Sequence, residues 1–289
     1  MTATNGHLNR HILIDRLATA SQPAATKAQC GERDMTDDAM LTSKHALVTG
    51  GGTGIGLAIA RALANEGAKV TITGRGQDVL DAVSGAGIHG AAMDVRDEAS
   101  VNDTVANAIS ARGPVQICVP NAGIAEGHSV HKTNLSFWRN IMATNLDGAF
   151  LTIKACLPGM RDTDWGRVIA ISSIAGLRGL PGAAAYSASK HGLIGLIRSL
   201  SEEYMGQPYT FNALCPGYVD TPIVDRNQDT IAQRTGMTKE NARQLMIDAN
   251  RHKRLIDADE VAAAALWLVG PGSHSINGQA IQIAGGQTA

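Results

Sequence analysis

The chain of 289 residues carries 25 Lys and Arg against 26 Asp and Glu, which gives a net charge of −1. Such a balance offers no basic field for a polyanion, so we expect no nucleic-acid partner. No apolar run approaches the ~18 residues that cross a bilayer, so we also expect no membrane partner. The four cysteines are far apart and form no CxxC pair. We therefore expect no disulfide framework, no metal site, and a reducing, cytoplasmic compartment.

Residues 1–43 differ in composition from the rest of the chain, being rich in Thr, Ala, Ser, Asn and Gln. Such polar composition predicts a disordered N-terminal extension that adds nothing to the core. The basic residues Arg10, Arg16 and Lys27 leave a transit peptide open as the alternative.

From Lys44 onward, short β-rich runs alternate with longer stretches that have apolar residues at helical spacing. Strands are predicted at residues 45–49, 69–73, 88–93, 115–119, 167–172, 210–215 and 279–284. Helices are predicted at residues 54–66, 77–84, 99–112, 136–160, 184–205 and 259–269. This alternation predicts an α/β fold over residues 44–289: a single doubly wound parallel sheet of Rossmann type, with helices on both faces.

The first predicted strand runs directly into a glycine-rich turn, Thr49-Gly-Gly-Gly-Thr-Gly-Ile-Gly56, and then into a helix. A turn without side chains lets the backbone approach a pyrophosphate, which the free N–H groups of a helix N-terminus then bind. We therefore predict cofactor contacts from the turn residues Gly50, Thr53, Gly54, Ile55 and Gly56. The alternative is that these glycines only allow tight packing between helix and strand.

The spacing of this turn, TGxxxGxG, resembles that of the short-chain dehydrogenase/reductase family, whose members are single doubly wound domains. The second strand ends at Gly74-Arg75, where folds that bind NAD usually carry an acid for the ribose 2′-hydroxyl. A guanidinium without a neighbouring acid can instead bind a 2′-phosphate. NADP(H) is therefore the favoured cofactor, and NAD(H) stays possible because Arg75 can also stack on adenine or point to solvent.

Tyr186 and Lys190 are four residues apart in a predicted helix, so both project from one face. An adjacent ammonium favours phenolate and should lower the pKa of Tyr186 toward neutrality. The alternative is a Tyr and a Lys on an exposed helix surface. Ser173 follows the fifth strand and can donate a hydrogen bond to a carbonyl oxygen held near the tyrosine. Ser172 is the other candidate, but alternation turns it to the opposite face of the strand.

Asn145 lies inside the predicted helix 136–160, where an Asn can hold a local kink and a water. On its residues alone, an ordinary polar helix position is the favoured interpretation. Asn145, Ser173, Tyr186 and Lys190 nevertheless resemble, in order and spacing, the catalytic tetrad of the short-chain dehydrogenases. The resemblance implies that Lys190 and Tyr186 also contact the cofactor.

The same resemblance implies further cofactor contacts along the chain. Asp94-Val95 matches the adenine contact of the family, and Val219 and Thr221, in the Pro-Gly loop after the sixth strand, match positions beside the nicotinamide. Asn121 and Gly123 belong to a motif that the family usually writes NNAG. Pro120 replaces its first Asn, which puts one hydrogen bond at the sheet edge in question.

Residues 221–256 have helix-forming composition and predict a lid over the substrate. Seven basic residues lie in this stretch, with fewer acids, so it either forms a solvated helix face or attracts an acidic substrate or phosphopantetheine carrier. The chain resembles ketoreductases of polyketide and fatty-acid type. The lid also resembles that of 3-hydroxybutyrate dehydrogenases, but Ala175 and Ala183 stand where those enzymes hold a carboxylate with His and Lys.

These observations identify the chain as an enzyme of the short-chain dehydrogenase/reductase family, acting on CH–OH donors with NAD or NADP. We expect hydride transfer between nicotinamide and a small-molecule ketone or secondary alcohol, with a 3-oxoacyl or polyketide-type carbonyl as one candidate substrate. The alternatives are a non-catalytic NADP(H)-binding regulatory protein on the same fold and a methyltransferase. The resemblance implies a homotetramer, or a dimer, with contacts through helices 136–160 and 184–205.

Overall fold

The computed structural model describes residues 39–287, apart from the side chain of residue 234. Its strands form one parallel sheet in the order β3-β2-β1-β4-β5-β6-β7. Their bounds are β1 His45–Thr49, β2 Lys69–Gly74, β3 Ile88–Ala92, β4 Ile117–Val119, β5 Gly166–Ile171, β6 Tyr209–Pro216 and β7 Ala280–Ile283. The order reverses direction between β1 and β4, so a crevice opens there at the carboxyl ends of the strands. The predicted fold class is confirmed.

Helices connect successive strands and cover both faces of the sheet. They are α1 Gly54–Asn65, α2 Gln77–Asp81, α3 Glu98–Arg112, α4 Leu135–Met142, α5 Gly148–Arg161, α6 Ala184–Glu203, α7 Pro222–Thr235, α8 Lys239–Ala249 and α9 Ala258–Val269. Two buried clusters result, one on each face, and together they contain the apolar side chains of the sheet. In the described part of the chain, no helix is long and apolar enough to cross a membrane.

Several strands have no exposed residue at all, which explains why short apolar runs identified them. Every residue of β1, β4, β5 and β6 is buried. This is the pattern of a parallel sheet covered on both faces, where apolar residues are continuous rather than alternating. The carboxyl ends of these four strands therefore form a rigid platform for the loops that follow them.

The predicted helix 136–160 is interrupted in the structure. Five residues, Ala143–Asp147, form a π-helical turn between α4 and α5, and the Gly148 N–H bonds the Ala143 carbonyl across it. Because α4, the turn and α5 follow one another without a loop, the helical periodicity of the sequence continues through the interruption. Asn145, where the sequence allows a local kink, lies in this π turn.

Of the first 43 residues, the structure describes only residues 39–43. The expectation that this segment adds nothing to the core is wrong for Leu41, which is 2% exposed and belongs to the cluster around α1 and α9. Its N–H donates to the Glu66 carbonyl at 2.8 Å. An apolar side chain at the first turn before β1 is enough to close the end of that cluster.

Candidate active site

Two adjoining cavities open at the carboxyl ends of the strands, where the strand order reverses. One, of about 480 Å³, is lined by Ser173, Tyr186 and Lys190 and is covered by α7 and α8. The other, of about 400 Å³, lies beside the ends of β2 and β3 and is lined by Gly50, Arg75 and Asp94, among others. Gly123, Ile124 and Glu126 line both cavities and so form their common wall.

The turn between β1 and α1 needs its glycines for both conformation and space. Gly50 and Gly54 have φ angles of 64° and 54°, in the left-handed region. A Cβ on Gly56 would coincide with the Gly50 carbonyl oxygen, because α1 starts directly against the turn. The side chain of Thr53, the residue before α1, makes no capping hydrogen bond. The first turn of α1 is therefore left without a side-chain cap, as an anion-binding helix start requires.

Asn121 braces this turn. Its amide nitrogen donates to the carbonyls of Thr49 at 2.8 Å and Gly50 at 3.2 Å, and the Thr49 hydroxyl accepts from the backbone N–H of Asn121 and Ala122. The sequence predicted Asn121 as a cofactor contact but did not identify Thr49, whose role depends on two distant segments. The Pro120 carbonyl accepts from Ile171 N–H at 2.9 Å, but a proline has neither the N–H nor the side-chain amide of the usual Asn.

The second cavity holds two guanidinium groups with different surroundings. Arg96 forms an ion pair of 2.6 Å with Asp94 and donates to Asn140, and this pairing lowers the pKa of Asp94 to about 2. Arg75 makes no ion pair with any described side chain, although its charge also lowers the pKa of Asp94. Arg75 is thus the cation that remains available to a ligand at the end of β2, beside Gly74.

Ser173, Tyr186 and Lys190 meet at the floor of the larger cavity. Ser173 follows β5, its hydroxyl accepts from Ala175 N–H at 3.1 Å, and it lines the cavity together with Tyr186. Tyr186 and Lys190 lie one turn apart on α6, with the Lys190 ammonium 5.9 Å from the centre of the tyrosine ring. Ser172 points the other way and donates to the Lys190 carbonyl at 3.2 Å. The geometry therefore favours Ser173 over Ser172.

The electrostatics of this group differ from the sequence expectation in one respect. Burial raises the pKa of Tyr186, with the Ser173 hydrogen bond acting in the opposite direction, so the predicted lowering by Lys190 is wrong for this state of the chain. Burial also lowers the pKa of Lys190 to about 8. Its ammonium donates to the Ile171 carbonyl at 2.8 Å rather than to the phenol. Desolvation is thus the largest cause of both pKa shifts.

Asn145 lies in the π turn and is 1% exposed. Its amide oxygen accepts from Ile124 N–H at 2.8 Å, and its amide nitrogen donates to the Ile124 carbonyl and to the Ser189 hydroxyl. The side chain therefore holds the wall between the two cavities to α6. Its predicted role in carrying a water stays a prediction.

The loop after β6 joins the nicotinamide-side residues to the lid. Thr221 donates to the Val219 carbonyl at 3.2 Å, and its methyl group lies next to Gly54 in the glycine turn. The fully buried Asn250 bonds both the N–H and the carbonyl of Tyr218, as well as the Arg254 carbonyl. Nothing in the sequence distinguished Asn250 from the other polar lid residues, because its partners lie outside its own helix.

The basic residues of the lid are largely neutralised. Arg243 pairs with Asp220 and Asp225, while the other three pairs are Lys239 with Asp229, Lys253 with Asp248 and Arg254 with Glu260. Two of these acids, Asp220 and Glu260, come from outside residues 221–256. The arrangement is that of a solvated helix face, the first of the two readings that the sequence left open.

No described group of three or more His, Cys, Asp and Glu side chains could hold a metal ion.

Comparisons with known proteins agree with the geometry. A family model described as short chain dehydrogenase matches residues 44–232. A D-beta-hydroxybutyrate dehydrogenase of Rhizobium meliloti is 35% identical over 86% of this chain and 99% of its own length. A putative ketoacyl reductase of Streptomyces coelicolor is 34% identical over 84% of this chain and 97% of its own. The crystal structure of a variant actinorhodin polyketide ketoreductase with NADPH superimposes with a TM-score of 0.82, at 34% identity, over 86% of this chain and 99% of that one.

Proposed function

The chain belongs to the short-chain dehydrogenase family, and from that premise we propose that it interconverts a ketone and a secondary alcohol with NADP(H). One observation carries the proposal: a serine and a tyrosine line one cavity beside a buried lysine, and this cavity adjoins the glycine turn. Residues 44–289 are the catalytic domain and residues 221–256 its lid. A 3-oxoacyl or polyketide-type carbonyl is supported by the ketoacyl reductases among the relatives.

The residues of the second cavity fit a phosphorylated dinucleotide. The cradle at Gly50 and Gly56 has no room for a side chain, and α1 begins there without a side-chain cap. Gly74 and Arg75 place a cation and no acid at the end of β2, which supports NADP(H) over NAD(H). When bound, the nicotinamide supplies or accepts the hydride at the carbonyl carbon. Asp94, Val95, Gly123, Val219 and Thr221 are the further proposed contacts.

The four polar residues have distinct proposed roles. Ser173 donates a hydrogen bond to the carbonyl oxygen and orients it, and the Tyr186 phenol donates the proton to that oxygen as the alkoxide charge develops. A phenol kept protonated by burial suits this direction of the reaction. Lys190 binds the ribose and, when charged, favours loss of the phenol proton. Asn145 holds the π turn and the wall at Ile124, and with it a water path for proton return.

Substitution of Tyr186 by Phe tests the proposal. We expect Tyr186→Phe to reduce kcat for ketone reduction by at least about 1,000-fold, because it removes the proton donor and leaves the ring in place. NADPH consumption with a panel of ketones gives the rate, and quenching of protein fluorescence gives the affinity for NADPH, which should persist.

Tyr204→Phe is the matched control, since Tyr204 lies after the far end of α6 and packs against Tyr209 and Phe211. Wild-type turnover by the Tyr186 variant would contradict the assignment. Tight NADPH binding by the wild-type chain with no turnover of any ketone or alcohol would instead favour a regulatory protein.

Family resemblance supports a cytoplasmic homotetramer, or a dimer, with contacts through α4, α5 and α6. Leu135 on α4 and Phe150 on α5 are 59% and 46% exposed, which is consistent with a surface covered by another subunit. Light scattering of the purified protein would measure the number of subunits.

A further inference from the structure

The larger cavity has an apolar wall beyond Ser173 and Tyr186. Val224 and Ile231 of α7 and Met246 of α8 face it from the lid, and Ile124 and Leu180 line it from the loops opposite. Val224 and Met246 are only 3% and 2% exposed and form, with Leu255, a cluster separate from the two that cover the sheet. The lid therefore has its own small core, one side of which is the roof of the substrate space.

Charge is almost absent from this wall. Among the described residues that line the cavity, only Lys190 and Glu126 carry a charge. Lys190 is directed to the Ile171 carbonyl beneath the site. Glu126 is exposed, makes no ion pair with a described side chain and lies where the two cavities adjoin. A ligand that fills the cavity thus meets Lys190 only at the floor, where the Ile171 carbonyl holds its ammonium, and a negative charge, Glu126, at the edge.

The cations of the lid do not balance the negative charge of Glu126. Arg243 and Lys239 are paired with carboxylates on the lid or just before it, and no described basic side chain of α7 or α8 lines the cavity. A carboxylate held under the lid, away from Lys190 at the floor, would therefore be removed from water without a cationic partner on the lid. Burial of an unpaired charge is strongly unfavourable, whereas burial of methylene groups is favourable.

We propose that the substrate is a neutral, mainly apolar ketone, or the corresponding alcohol, and that Glu126 excludes substrates with a free carboxylate near the carbonyl. This inference rests on the proposed oxidoreductase function and specifies the substrate class of the same site. The proposed substrate differs from that of the hydroxybutyrate dehydrogenase relatives, whose names describe a carboxylate.

The direct test compares ligands that differ only in charge. Methyl 4-oxopentanoate and 4-oxopentanoate share one ketone, and kcat/KM with NADPH should favour the ester by at least about 100-fold. In the series from 2-butanone to 2-octanone, kcat/KM should rise about fourfold for each methylene until the cavity is filled.

A variant identifies the residue responsible. Glu126→Gln should raise kcat/KM for 4-oxopentanoate by about three- to tenfold, because it removes one negative charge near the bound carboxylate. Glu203→Gln is the control: it makes the same change at the far end of α6, about 26 Å along the helix from Tyr186, and should leave the ester-to-acid ratio at the wild-type value.

Calorimetric titration of the same ester and acid into the protein without NADPH adds a readout that needs no turnover. Tighter binding of the ester supports the proposed wall chemistry, even if no ketone is reduced, and in that case the oxidoreductase function alone would be overturned. Equal or tighter binding of the acid, or a kcat/KM for the acid that matches the ester, would overturn the substrate class and leave ketone reduction standing. An unchanged ratio in Glu126→Gln would overturn the role of Glu126.

Discussion

Arg75 and Arg96 line the same cavity, but only Arg96 is held by a carboxylate. The guanidinium of Arg96 is engaged by Asp94, so its charge and that of Asp94 largely cancel. Arg75 has no such partner among the described side chains and follows a glycine that cannot repel a phosphate. Preference for the phosphorylated cofactor should therefore depend on Arg75 more than on Arg96.

Replacement of Arg75 by Asp tests this preference. We expect Arg75→Asp to shift the ratio of kcat/KM for NADPH over NADH by at least about 100-fold toward NADH. The new carboxylate repels the 2′-phosphate and can accept from the ribose 2′-hydroxyl. Steady-state kinetics with both cofactors give the ratio. Arg61→Asp, an equal charge change on the exposed face of α1, is the control, and a ratio unchanged by Arg75→Asp would contradict the assignment.

Some contacts of single residues could be predicted from the sequence, and others could not. Ser173, Tyr186 and Lys190 could be brought together from the sequence, because strand ends and helix spacing place side chains in known directions. The bonds from Asn121 to Thr49 and from Asn250 to Tyr218 could not, since each joins segments more than 30 positions apart. The direction of the Tyr186 pKa shift also depends on burial, which spacing does not reveal.

The glycine turn acts as one element with α1, because the helix starts in contact with the turn carbonyl. A Cβ at Gly56 would overlap the Gly50 carbonyl oxygen and crowd the Asn121 amide; the first is backbone, and the second is held by hydrogen bonds to the Thr49 and Gly50 carbonyls. Any side chain at this position must move the turn that receives the pyrophosphate.

Gly56→Ala should therefore weaken NADPH binding at least about tenfold, since the backbone N–H groups move away from the positions that a phosphate needs. Fluorescence titration with NADPH measures the dissociation constant. Gly195→Ala is the matched control in a helix, because a Cβ at Gly195 would meet nothing within 4 Å. Retention of wild-type affinity by the Gly56 variant would show that the turn does not contact the cofactor.

The sequence predicts which segments are helices and which are strands, but not where a helix is interrupted or which side chains from other segments pair with it. Strands such as β1 were identified because burial on both faces forces continuous apolar runs. The π turn at Ala143–Asp147 is not visible in the helix pattern, because apolar residues recur at helical spacing both before and after the extra residue that the turn absorbs. The excess of basic residues in the lid left two interpretations open, because Asp220 and Glu260, which pair with two of these residues, lie outside the lid in the sequence.

At the scale of the whole molecule, the sheet separates the site at its carboxyl end from a buried polar group at its amino end. His45, the first residue of β1, is fully buried, and its Nδ1 contacts the Gly113 carbonyl at 2.8 Å. Nδ1 must donate there, so Nε2 accepts from the Thr71 hydroxyl, which itself accepts from Arg112 Nε. The arrangement satisfies a neutral imidazole and lowers the pKa of His45 to about 4, mainly through burial.

This histidine should make the protein sensitive to mild acid. The pKa of His45 is about 4 in the folded chain against its ordinary value of 6.5, so the unfolded chain binds more protons between these values. The free energy of unfolding should therefore fall by about 3 kcal/mol as the pH is lowered from about 6.5 to about 4. Urea unfolding across this range measures the change.

His45→Asn keeps a donor for Gly113 and should remove most of this dependence on pH, whatever its effect at neutral pH. His131→Asn, at an exposed position before α4, should retain the wild-type slope. Parallel pH curves for the wild-type protein and the His45 variant would show that another group is responsible.

The π turn that carries Asn145 lies within one continuous helical segment. A π turn holds one residue more than an α turn, so the segment from Leu135 to Arg161 equals a regular helix with a single residue inserted. Loss of one residue there would let the whole segment become α-helical, and the residues on either side would keep their faces, because the wider turn absorbs the extra residue. A length change of one residue, which ordinary substitution cannot reproduce, is thus able to create or abolish the anchor at Ile124, and comparisons of related chains should look for it as a gap.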